Sequence, residues 1–163
     1  MVFGQHHDEA LAVSSVKLAS RPHIVDTQVM PGIVESEGRS HAFNSVTGDD
    51  GSGMFGLPTY DNDAAEKSGW RDLPGEVRFF TASRDLKLTL ADRLAGKPED
   101  EVTEDGYDCV VSCYDWYGNS RPIFFRDRVF ALIGAELIEG AMRGDRVAET
   151  ARVNLTGTPA WRR

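Results

Sequence analysis

Short runs of apolar residues with a period of two, each cut off by a glycine or proline, recur along this chain. No other feature limits its fold as strongly, because period two places alternate side chains on opposite faces of a β-strand. Residues 23–30 (His-Ile-Val-Asp-Thr-Gln-Val-Met) read as a strand closed by the turn pair Pro31-Gly32. Residues 76–82 carry Val77, Phe79 and Phe80 in a second strand, and Leu86, Leu88 and Leu90 alternate with Lys87 and Thr89 in a third. Residues 91–95 then read as a helical turn stopped at Gly96. Residues 10–19 fit a strand or a short helix. Residues 107–117 (Tyr-Asp-Cys-Val-Val-Ser-Cys-Tyr-Asp-Trp-Tyr) are β-branched and aromatic, and so form an expected strand ending in a turn over residues 118–122.

Residues 123–155 admit two readings. As a helix, residues 126–143 gather Arg128, Glu136, Glu139 and Arg143 on one polar arc, but Gly134 and Gly140 fall inside it, each costing about 1 kcal/mol relative to alanine. As strands, Gly144-Asp145 becomes a two-residue hairpin turn. Met142 then faces Val147, Ile138 faces Ala151 and Glu136 faces Val153. The hairpin is the preferred reading. The expected fold is mainly β, a sandwich or small barrel of short antiparallel strands with one or two short helices. An α+β fold is the alternative if residues 126–143 are helical.

One domain accommodates the 163 residues. It comprises a polar N-terminal arm (residues 1–9), a long irregular loop (residues 47–75) dense in Gly, Pro and Asp, and a C-terminal tail (residues 156–163). Asp61-Asn62-Asp63 with Glu66 lacks the ligand spacing of a calcium loop, so local turn and helix capping is expected there, with a helical turn over residues 63–67.

Charge narrows the partners. With 26 Asp and Glu against 18 Lys and Arg, the formal charge is −8. That disfavours nucleic acid, whose phosphates need clustered cations, and anionic membrane surfaces. No apolar window reaches the roughly 20 residues of a membrane-spanning helix, and the N-terminus lacks the positive start and apolar core of a secretory signal. The expected setting is cytoplasmic in origin, or part of an assembled particle. In an extended strand Cys109 and Cys113 are separated by about 13 Å, beyond the roughly 4.4–6.8 Å of a disulfide. They read as packed free thiols. No second ligand pair supports a metal, and no cofactor is expected.

No nucleophile elbow, phosphate loop, dinucleotide fingerprint or zinc-protease motif occurs. His6, His7, Asp8 and Glu9 read as a polar terminus, and His23 and Asp26 as facing opposite ways on a strand. Two functions from different classes fit what remains. The first is a non-enzymatic structural subunit of a larger complex, such as a virion, tail or particle component, that self-associates or joins other protein subunits. Trp161, Arg162 and Arg163 would be its partner-binding anchor, because an aromatic beside arginines is the composition of interface centres. The alternative is a small β-barrel enzyme of isomerase, cyclase or hydrolase type acting on a hydrophobic small molecule. Its pocket would be lined by Asp115, Tyr114, Tyr117, Trp116 and His41. A desolvated Asp115 among aromatic rings would serve as its acid or base.

Overall fold

The computed structural model describes residues 2–6, 10–36, 42–68, 75–97 and 120–155. The described chain is mostly β, in antiparallel sheets, as the alternating runs imply. The strands are β1 (Val2–His6), β2 (Ala10–Lys17), β3 (His23–Pro31), β4 (Ile33–Glu35), β5 (Asn44–Thr47) and β6 (Gly53–Asp61). After the helix α1 (Asn62–Ser68) come β7 (Glu76–Ala82), β8 (Leu88–Ala95), β9 (Ser120–Phe125), β10 (Arg128–Ile133), β11 (Glu136–Arg143) and β12 (Arg146–Asn154).

They form three open sheets. β1-β2-β3 and β12-β11-β10-β9 are simple meanders. The third runs β4-β6-β7-β8, with β5 pairing the other half of the β6 edge that β4 occupies. This sheet is the centre of the molecule, because its two faces carry separate apolar clusters. Val77, Phe79, Ala91 and Leu94 pack against Val129, Ala131, Ile133, Ile138 and Val147 of the C-terminal sheet. On the opposite face Phe55, Leu57, Phe80 and Leu88 pack against Leu11 and Val13 of the N-terminal sheet. Phe55 and Phe80 stack at 5.0 Å, and Phe79 meets Phe124 edge-on at 6.1 Å. Phe55, Phe79 and Phe80 are fully buried, and each contributes about 2–3 kcal/mol through removal of apolar surface from water.

Several expectations are corrected. Residues 47–75 are not one irregular loop: within them β6 is an inner strand and α1 a short helix. Glycine and proline mislead here because each has a specific place in the sheet. A Cβ at Gly56 would lie 2.5 Å from Pro122 Cβ and 3.2 Å from a Phe79 ring carbon, so glycine lets β9 close onto β6. Pro58 has its carbonyl directed away from β7, at the Ser36 N–H (3.2 Å) just past the end of β4. Its missing N–H therefore costs the β6–β7 ladder no bond. Residues 2–6 of the expected polar arm pair with β2 as a strand. Residues 91–95 continue β8 through a bulge instead of turning helical. Residues 120–122 begin β9 rather than closing a turn, and Pro122 is tolerated because β9 is an edge strand. Residues 10–17 are a strand. The helical reading of 126–143, and with it the α+β alternative, is overturned: Arg126 (φ 49°) and Asp127 (φ 61°) form a hairpin turn between β9 and β10.

The Gly144-Asp145 hairpin is as expected, with Gly144 at φ 67° and Met142 opposite Val147. Beyond Gly140 a bulge slips the register by one, so Ile138 faces Arg152, Leu137 faces Val153 and Glu136 faces Asn154. Asp61 Oδ1 accepts the Ala64 N–H (3.1 Å), the capping expected of this acidic cluster.

Candidate functional site

Asp115, Tyr114, Tyr117, Trp116 and His41, the partner anchor Trp161, Arg162 and Arg163, and both Cys109 and Cys113 lie outside the described residues. Among the described residues no group of three or more His, Cys, Asp or Glu is placed to hold a metal ion. No helix among them is long and apolar enough to cross a membrane. His23 is exposed with its Nδ1 3.2 Å from the Arg21 carbonyl oxygen, and Asp26 accepts the Leu88 N–H at 2.8 Å, tying β3 to β8. That bond is the main reason the Asp26 carboxyl is held below the usual carboxylate range.

Two buried carboxylates stand out, and both are engaged by arginine. On the face of the central sheet towards the N-terminal sheet, Glu76 Oε1 accepts Thr59 Oγ1 (2.8 Å) and Glu76 Oε2 accepts Arg93 (2.6 Å). Arg78 Nε lies 2.8 Å from Glu76 Oε1, an ionic contact too far off line to be a hydrogen bond. Three neighbouring strands bring these groups together because Thr59 pairs with Glu76 and Arg78 with Arg93 across the sheet. At the other end of the core, Glu136 Oε2 accepts Arg152 (2.8 Å) and the Lys97 N–H (2.9 Å). Arg152 also donates to the Ala95 carbonyl oxygen and to Glu149. The bond it donates to Glu149 is the leading cause of the raised Arg152 pKa, and it holds the Glu149 carboxyl low. Charges locked this way fasten β12 to β8 and β7 to β6. Both oxygens of Glu76 are engaged, and Glu136 is held by Arg152 and the Lys97 N–H through one oxygen, so both clusters are read as structural.

The outward face of the C-terminal sheet differs from an ordinary solvated surface. Residues alternate along each strand, so with Pro122, Val129, Ala131 and Ile138 facing the core, their neighbours face out. Cross-strand register then sets three outward rows. They are Arg121-Leu132-Leu137-Val153, Ile123-Phe130-Glu139-Ala151 and Phe125-Arg128-Ala141-Ala148. Nine of these twelve positions are apolar, where an antiparallel sheet facing water normally alternates to polar. Phe125 is 56% and Val153 54% exposed, while Ile123, Phe130, Leu132 and Leu137 are half-buried.

Arg128 spans this face, bidentate to Glu139 (2.8 and 2.6 Å) and 4.8 Å above the Phe130 ring. The bond keeps the Glu139 carboxyl below its usual range. Arg121 and Arg143 have no acidic partner among the described residues. The bulge helps to build this surface. It turns Ala151 and Val153 outward, where an unbroken alternation from Val147 would have turned them in. The signal for the face was already in the sequence: residues 129–133 are apolar without interruption, the mark of a strand covered on both sides.

Comparison with protein-family models, with characterised proteins and with solved structures finds no match to this chain.

Proposed function

We propose that this chain is a non-enzymatic structural subunit of a larger protein assembly, such as a virion, tail or other particle component, and that it works by self-association. One observation carries the reading. The C-terminal sheet is apolar on both faces, and the described residues cover only the inner one. A contiguous apolar surface of this kind costs solubility in a free monomer and is the usual mark of a protein contact. The ordered ionic clusters support the same role. They brace the central sheet internally and fasten the C-terminal sheet to it, which spends their carboxylates on rigidity. The setting that fits is the interior of the cell where the protein is made, or the particle it joins.

The test is the mass of the full chain in solution by sedimentation, as concentration is raised. A mass above 18.0 kDa that grows with concentration is expected. A chain that stays monomeric up to about 1 mM, where even a weak contact of ~4 kcal/mol would be half formed, refutes the proposal. Deleting residues 161–163 separately tests the C-terminal anchor. Reduced mass with unchanged melting supports it, and unchanged mass and melting exclude it.

A further inference from the structure

We infer that the outward face of the β9–β12 sheet binds a second copy of this chain head to tail, meeting a different and acidic part of its neighbour rather than the same face. The inference rests on the assembly reading above and names its contact and its polarity. Four strands spaced about 4.8 Å apart and three rows about 6.8 Å apart give a face of roughly 400 Å². That is about half of what each partner gives to a standard interface of roughly 800 Å², so the face suits a weak contact repeated through a lattice.

The polarity comes from charge. Arg128 and Glu139 neutralise each other, and Arg146 is taken up by Asp92 of β8. Arg121 and Arg143 are left over, and both project from the outward side of the sheet. A two-fold contact of this face with itself would bring four unneutralised arginines into one interface. The whole chain carries a formal charge of −8, so the surface outside this face holds the negative surplus. The favourable encounter therefore sets the arginine-flanked face of one copy against an acidic surface of the next. Such a heterologous contact does not close on itself. It propagates into rings or filaments.

The full chain with Leu137→Glu, and separately with Arg121→Glu plus Arg143→Glu, tests this by sedimentation and thermal melting. Leu137→Glu places a charge at the centre of the apolar rows and is expected to raise the dissociation constant at least tenfold. The arginine reversals are expected to weaken assembly to a similar degree without changing melting, and wild-type assembly is expected to weaken as salt is raised. If Leu137→Glu lowers the melting point, the arginine pair alone decides. Leu137→Glu that weakens assembly while the arginine variant assembles like the wild type would overturn the head-to-tail polarity in favour of face-to-face pairing, where reversal only exchanges four like charges for four others. A wild type that assembles while both variants assemble equally well overturns the inference and leaves the subunit reading standing. A wild type that never assembles removes both, and melting lowered by Leu137→Glu in that monomer would show the face to be covered within its own chain.

Discussion

Gly56→Ala is the sharpest perturbation of this fold. The added methyl would stand 2.5 Å from Pro122 Cβ, 2.9 Å from Pro122 Cγ and 3.2 Å from a Phe79 ring carbon. Ordinary carbon contacts lie near 3.5–4.0 Å, so β9 must retreat from β6 by about 1 Å. Neither neighbour yields easily. The Pro122 ring has no free rotor, and Phe79 is fully buried against Phe124. Overpacking of this kind costs about 1–3 kcal/mol. Replacing glycine returns about 0.4–1 kcal/mol by restricting the unfolded chain, because Gly56 has no left-handed φ. The net expectation is about 1–2 kcal/mol of destabilisation, a fall of about 2–8 °C in melting temperature for a chain of this length. Thermal and urea unfolding of the full chain measure it. Pro122→Gly removes the opposing Cβ, so the double variant is expected to lose less than the sum of the two single losses. Additive losses, or a Gly56→Ala chain as stable as wild type, would refute the close approach of β6 and β9.

Two further outcomes follow from the ionic clusters. Arg152→Leu strips the buried Glu136 of its cation and should cost about 3 kcal/mol, while Glu136→Leu with Arg152→Leu should recover about half of that in urea unfolding. Equal losses in the two variants would contradict the pairing. Acidification tests the carboxylates together. Asp26 is lowered chiefly by the Leu88 N–H, Glu139 by Arg128 and Glu149 by Arg152. At Asp92 burial pushes the carboxyl up, but the Arg146 and Arg93 donors outweigh it and the net shift is downward. Groups with depressed folded values add stability above their unfolded values near 4 and lose it as pH falls through the folded ones. Melting temperature should therefore hold between pH 7 and about 5 and drop below about 4. A melting temperature that rises on acidification would exclude these contacts.

The sequence by itself determined the class of this fold. Period-two alternation in residues 23–30 and 76–82, and the Gly144-Asp145 turn with Met142 opposite Val147, are local properties. Backbone geometry and a left-handed turn position dictate them without reference to distant residues. Only the tertiary structure decided what depends on partners far along the chain. Gly56 and Pro58 look like loop punctuation until Pro122, 64 residues beyond Pro58, is set against the first and Ser36 at the end of β4 against the second. Glu76 and Glu136 look like surface acids until Arg93 and Arg152 arrive from other strands. The candidate site divides the same way. The uninterrupted apolar run at residues 129–133 signalled a strand with two buried sides. Which residues share its outward face, however, was set by a single bulge near Gly140, since a slip of one residue sends every later side chain to the opposite side of the sheet.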